Sequence, residues 1–214
     1  YLIEDSDLMD SLHIPRRGGQ MVNESIEYIA HDFMEQGSRP PVPLATAFLD
    51  RFGRDSVTFQ VLDQMGSFYE EQGYWTEAIN AYEAILQRFP DSPMAPFFQA
   101  SIASCYDGMG DMLAATQARE ELVENYGPAS AWAASSGEVS MGAVDSLRQA
   151  SLEQAIVYYH TQAVASREDP VLSRQSYQSL ATRIETFLHD YPGSRQGYDF
   201  RFFLGDAYYA LGRL

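Results

Sequence analysis

Between residues 57 and 89 the apolar positions follow a helical period, break, and resume. Leu62, Met65, Gly66 and Tyr69 follow one another at spacings of 3, 1 and 3, which puts them on one face of a helix. Asp55-Ser56 precedes them, and short oxygen-bearing side chains there satisfy the free N–H groups of a first helical turn. Gly73 stops the helix, because glycine takes the left-handed backbone of a helix end without a steric penalty. A second helix starts near Trp75 and carries Ala78, Tyr82, Ile85 and Leu86 on one face, and Phe89-Pro90 closes it. The pattern predicts two helices packed face to face, Leu62, Met65, Gly66 and Tyr69 of the first against Ala78, Tyr82, Ile85 and Leu86 of the second.

The punctuation around this pair recurs. Arg51-Phe52-Gly53 returns as Arg88-Phe89-Pro90 and, more weakly, as Asn125-Tyr126-Gly127, so the aromatic positions 52, 89 and 126 are separated by 37 residues twice. A fourth copy, Asp190-Tyr191-Pro192, follows after 65. Each is trailed by Ser or Asp-Ser: Asp55-Ser56, Asp91-Ser92, Ser130 and Ser194. Self-similarity with a period of 20–50 residues is the signature of stacked supersecondary units, which build binding surfaces more often than catalytic pockets.

Leu62, Met65, Gly66, Tyr69, Gly73, Ala78, Tyr82 and Pro90 together resemble the tetratricopeptide repeat. The small residues let two helices approach closely, and the aromatics fill the remaining space. The next unit, 94–126, keeps Ile102, Ala103, Tyr106, Gly110, Ala115 and Leu122, while Arg119 and Gly127 depart from the family at an aromatic and a proline position. The last unit gives Leu204, Gly205, Tyr208 and Gly212. The resemblance implies an all-α chain, a right-handed α-solenoid of antiparallel helix pairs. The joints, the stretch from Arg119 to Trp132 and the stretch 157–163 also resemble repeat proteins of bacterial cell envelopes. Those include outer-membrane-assembly lipoproteins, proteins of the Tol-Pal type and large delta-proteobacterial repeat proteins. That likeness implies a periplasmic or envelope location, although a cytoplasmic one fits the composition as well.

The domain reading is an irregular lead-in over 1–20, containing Pro15-Arg16-Arg17-Gly18-Gly19, and a repeat array over 21–214. Its helix pairs fall at about 22–52, 57–89, 94–126 and 143–191, with a half pair at 195–212. In the first pair, Val22–Gln36 is one helix, Arg39-Pro40-Pro41-Val42-Pro43 a stiff connector, and Leu44–Leu49 the second helix. Residues 127–142, rich in Ala, Ser and Gly, read as an inserted loop. A long helix from about Ala143 to Arg167 follows, and Glu168-Asp169-Pro170 breaks it, proline suiting the first turn of the next helix, which runs to His189.

Composition narrows the partners. The 214 residues carry 30 acidic and 14 basic side chains, a formal charge of −16, and every basic residue is Arg. Without Lys there is no Schiff-base or lysine-nucleophile chemistry. The acid excess disfavours nucleic acid and anionic membrane surfaces, both of which require a basic stripe. It fits either a solvated acidic surface or adaptation to a salty milieu. No run of 18 or more apolar residues is present, so no transmembrane segment is expected. The chain begins with Tyr and no signal region follows, which reads as a mature form or a fragment. The single Cys105 forbids an intrachain disulfide and a Cys-based zinc cluster, and its apolar neighbours make it a small core residue.

Catalytic chemistry finds little support. His13, His31, His160 and His189 form no pair at metal-ligand spacing. Nucleophile-elbow and phosphate-loop motifs are missing, since Gly18-Gly19 lacks both the strand–helix context and a lysine. Glu70-Glu71 and Glu120-Glu121 read as solvated helix faces rather than paired catalytic carboxylates. No catalytic, cofactor or metal residue is therefore assigned.

In a stacked array the first helices of successive pairs line a hollow face. The repeat register puts Gln60, Asp63, Ser67 and Glu70 there in one unit, Phe97, Ala100, Ser104 and Asp107 in the next, and Asp199, Phe202, Asp206 and Tyr209 in the last. Such an acidic and aromatic groove favours a protein or peptide partner that is basic or apolar, with a cation over an aromatic face. The reading is a non-enzymatic protein–protein interaction scaffold. Its rival is a helical-toroid hydrolase or carbohydrate-active enzyme with inward carboxylates, and a third reading makes the chain an accessory assembly part of an envelope machine. In the last unit, Phe200, Phe203 and Ala207 are expected to pack back on the preceding helix, with Leu204, Gly205 and Tyr208 turned toward a missing one. The chain stops at Gly212-Arg213-Leu214 without a polar cap, which predicts a longer native protein or self-association through this helix.

Overall fold

The computed structural model describes residues 28–32, 41–53, 55–135 and 141–213. Among the described residues all regular structure is helical. The helices are α1 (Pro41–Leu49), α2 (Asp55–Glu71), α3 (Trp75–Arg88), α4 (Ala95–Met109), α5 (Met112–Asn125), α6 (Ala131–Ser135), α7 (Met141–Ala165), α8 (Pro170–Asp190) and α9 (Gln196–Leu211), with a 3-10 turn at Asp50–Phe52. None is long and apolar enough to cross a membrane. The chain divides into two compact units, Tyr1–Pro90 and Asp91–Leu214.

In the first unit, α2 and α3 form the expected pair. Leu62, Met65, Gly66 and Tyr69 are buried against Ala78, Ile79, Tyr82 and Ile85. A Cβ on residue 66 would stand 2.5 Å from Tyr82 Cε1, so only glycine permits this approach. The Arg-Phe phrase ties the pair to its surroundings: Arg88 Nη2 donates to Asp55 Oδ1 at 2.9 Å and Nη1 pairs with Asp50, while Phe89 meets Phe59 edge-on at 5.5 Å.

Two expectations are corrected here. The stiff connector fails at Pro41-Val42-Pro43, which is the first turn of α1; proline fits there because first-turn N–H groups have no helical acceptor anyway. The second helix of that pair thus starts before Leu44. Helix α2 begins at Asp55 rather than beyond Ser56, and the Asp55 carboxylate receives Arg88. Of the helix expected over Val22–Gln36, residues 28–32 are helical, and the remainder, like Arg39-Pro40 and the 1–20 lead-in with His13, lies outside the described residues.

The second unit holds the α4/α5 pair and the longer α7/α8 pair followed by α9. Ile102, Ala103 and Cys105 of α4 are buried, as are Ala115, Ala118 and Leu122 of α5. Gln99 crosses the pair, its Nε2 donating to Ala118 O at 3.1 Å and to Glu121 Oε2 at 3.0 Å. Asp169 caps α8 by accepting from Val171 N and Leu172 N, and Pro170 opens the helix. Leu152 and Ile156 of α7, Leu180, Ile184 and Phe187 of α8, and Phe200, Ala207 and Leu211 of α9 share one core.

The inserted loop over 127–142 is also corrected. It contains α6, whose Trp132 is buried, donates Nε1–H to Ser92 O at 2.8 Å, and meets Tyr126 edge-on at 5.4 Å. Ser135 Oγ donates to Asp91 Oδ1 at 2.6 Å. Met141 and Gly142 already belong to α7, and residues 136–140 lie outside the described residues.

Candidate functional site

The repeat is physical as well as textual. Gly73, Gly110 and Gly212 occupy equivalent helix ends and all adopt left-handed backbone, with φ of 73°, 77° and 67°. Each makes the same double cap. Gly73 N and Tyr74 N donate to Glu70 O and Tyr69 O; Gly110 N and Asp111 N to Asp107 O and Tyr106 O; Gly212 N and Arg213 N to Tyr209 O and Tyr208 O. These bonds satisfy carbonyls that a helix end leaves open. The aromatic joints match too: the N–H of Phe89, Tyr126 and Tyr191 donates to Ile85 O, Leu122 O and Phe187 O.

A second contact recurs at the same step. Tyr82 donates its hydroxyl to Glu70 Oε2 at 2.7 Å, and 37 residues later Arg119 pairs with Asp107. Arg119 thus does what Tyr82 does and holds the carboxylate at the end of the facing helix. The cost falls on the predicted groove, because Glu70 and Asp107 are tied within their own pairs.

The other groove positions differ in openness. On α2, Gln60 and Ser67 are exposed and Asp63 is half-buried, which raises its carboxyl above the ordinary range. On α4, Phe97 and Ala100 are half-buried and Ser104 is exposed. On α9, Asp199, Phe202, Asp206 and Tyr209 are all exposed. The α2 set belongs to the first unit, and the α4 and α9 sets to the second. Helix α7 packs on α4 and reaches α9 through His160, which stacks on Phe203 at 4.0 Å. Its exposed Gln154, Val157, Thr161 and Val164 repeat the 3-4-3 spacing of the predicted sets. Sequence reading missed them because the insertion before α7 displaces the 37-residue register. It also missed exposed Tyr198, one turn before Phe202.

The expectation for α9 holds in part. Phe200 and Ala207 are buried and Phe203 packs beside them. Leu204 and Tyr208, expected to face outward, pack against the same core. Tyr208 is drawn in by its hydroxyl, which donates to Glu185 Oε1 at 2.6 Å, and Arg213 lies over its ring. Of the three outward positions only Gly205 is open, with nothing within 4 Å of where its Cβ would stand. The Leu204 face therefore gives self-association no basis.

One further concavity, of about 600 Å³, lies between the end of α5, the start of α7 and the end of α8, and includes Glu124, Gly127, Asp145, Arg148, His189 and Asp190. Arg148 is buried at its base and donates to Val123 O at 3.3 Å, Asp145 Oδ1 at 3.3 Å and Asp190 Oδ2 at 3.4 Å. Its charge is spent on groups of the same unit, so the arrangement braces three helices. Tyr191 joins it by donating to Asp145 Oδ1 at 3.0 Å, and burial raises its phenol. Among the described residues no group of three His, Cys, Asp or Glu side chains could hold a metal ion. Glu120, one of the paired carboxylates, accepts from Arg183 Nε at 2.6 Å.

No family model matches the chain. No curated protein matches it either.

Proposed function

We propose that this chain is a non-enzymatic protein-binding scaffold of tetratricopeptide type, a right-handed α-solenoid of antiparallel helix pairs that belongs to a larger bacterial envelope protein or complex. One observation carries the reading: the double cap at Gly73, Gly110 and Gly212 recurs on one repeat register, and the two pairs that Gly73 and Gly110 turn add the tie across the turn, Glu70–Tyr82 and Asp107–Arg119. A fold that spends its polar groups on repeating its own joints is suited to presenting surface. The carboxylates Glu70, Asp107 and Glu120 are engaged with Tyr82, Arg119 and Arg183, which leaves little for an inward acid pair of the kind a glycosidase uses. The charge of −16 favours basic or apolar protein segments over nucleic acid.

The test is selection of a random peptide library on the immobilised chain, with retained peptides sequenced and their integrity checked. Retention of intact basic or apolar peptides is expected. Cleaved peptides, or no retention, would contradict the reading.

A further inference from the structure

The segment 127–135 is bonded mainly to itself. Ser130 N donates to Gly127 O at 3.0 Å, Ala134 N to Ser130 O at 3.3 Å and Ala133 N to Ser130 Oγ at 3.1 Å. Within α6 only Trp132 is buried, while Ala131, Ala134 and Ser135 are exposed and Ala133 is half-buried. No other described helix packs along α6. Among the described residues, the hydrogen bonds that leave the segment run from Trp132 Nε1 to Ser92 O and from Ser135 Oγ to Asp91 Oδ1. The second joins two exposed residues, so it adds little. The segment hangs on one indole.

The place that holds the indole is complete without it. Ser92 O also accepts from Ala95 N at 3.0 Å, so departure of Trp132 leaves that carbonyl satisfied. Tyr126 stays on α5, its N–H held by Leu122 O. Gly127 lies against the Arg148 guanidinium, where a Cβ would stand 3.4 Å from Nη2, and residues 127–130 wall the concavity. Arg148 itself is held by Val123 O, Asp145 Oδ1 and Asp190 Oδ2, none of which belongs to the segment. The brace between α5, α7 and α8 therefore needs no bond from the backbone that covers it.

We propose that 127–135 is a strap, hung on Trp132, that opens while the α4/α5 and α7/α8 pairs stay folded. Opening releases one buried side chain and few hydrogen bonds, whereas unfolding either pair exposes a helix interface such as that of Ile102, Ala115 and Leu122. Two things change when the strap lifts. The Trp132 indole and the Tyr126 ring, edge-on at 5.4 Å when closed, become accessible together. The face of the Arg148 guanidinium under Gly127 turns to solvent.

The experiment follows hydrogen exchange by NMR in the whole chain, at rising denaturant below the unfolding transition. The reporter is the Trp132 Nε1–H, which exchanges only when the strap lifts. Its protection is about tenfold or more below that of the core amides of α5 and α7, and it barely changes with denaturant because local opening exposes little surface. Ser135→Ala speeds indole exchange severalfold and leaves the core amides unchanged. Trp132→Ala likewise leaves α5, α7 and α8 protected. An indole proton that exchanges with the core amides, at the same protection and the same denaturant dependence, overturns the strap. So does unchanged indole exchange in Ser135→Ala. Loss of protection in α5 and α7, or loss of the fold, in Trp132→Ala makes the indole part of the core and also overturns it.

Discussion

Gly66 and Tyr82 fix the distance between α2 and α3: the tyrosine ring occupies the space a side chain on residue 66 would need, with Cε1 2.5 Å from the Cβ position. Met65 and Ile85 beside this contact are fully buried, so neither helix can yield outward without exposing them. Gly66→Leu is expected to cost about 1–3 kcal/mol through overpacking. Gly205→Ala, at the equivalent position of α9 where nothing lies within 4 Å, gains about 1 kcal/mol of helix propensity. Denaturant unfolding midpoints check both, and opposite signs are the expected outcome.

Tyr69 is buried, and its hydroxyl is without a hydrogen-bond partner among the described residues. Tyr69→Phe removes that unsatisfied group and raises stability by about 1 kcal/mol. The same burial, with Glu77 contributing, pushes the phenol up to about 12. The unfolded chain ionises this group near 10, so its contribution is intact below pH ~10 and is lost as pH rises toward ~12. Unfolding measured through this window shows wild type losing more stability than Tyr69→Phe.

Arg119 and Asp107 repeat the Tyr82–Glu70 tie with different chemistry. Arg119→Ala is expected to cost about 1 kcal/mol, limited by solvent screening of the partly exposed Asp107. Arg119→Tyr, which installs the residue of the preceding pair, recovers most of that loss. Thermal unfolding of the two variants decides whether the positions are equivalent.

Trp132 docks α6 through its Nε1–H on Ser92 O and its edge contact with Tyr126. Trp132→Phe keeps one aromatic ring but loses the hydrogen bond and part of the buried indole, so a loss of about 1–3 kcal/mol is expected by denaturant unfolding.

The parts legible in the sequence are those set by local spacing. The α2/α3 register follows from Leu62, Met65, Gly66 and Tyr69, and the helix ends at Gly73, Gly110 and Gly212 follow from glycine's access to positive φ. Partners distant in sequence were not legible. Trp132 and Ser92 are 40 residues apart, so composition alone made α6 look like loop. The ties that occupy Glu70 and Asp107 cross a turn from the next helix, so both acids looked free. Leu204 and Tyr208 read as outward-facing by the register of the α2/α3 pair, whereas Glu185 draws Tyr208 onto α8. The opening of α1 at Pro41 was hidden because proline signals a break everywhere except a first turn.

The peptide-library selection, run at about 0.15 M and about 1 M salt, tests the central claim most directly. The scaffold account predicts intact peptides rich in Arg or Lys and apolar residues at the lower salt, with the basic ones lost at the higher. Enrichment of acidic peptides, or cleavage of the retained ones, would contradict it.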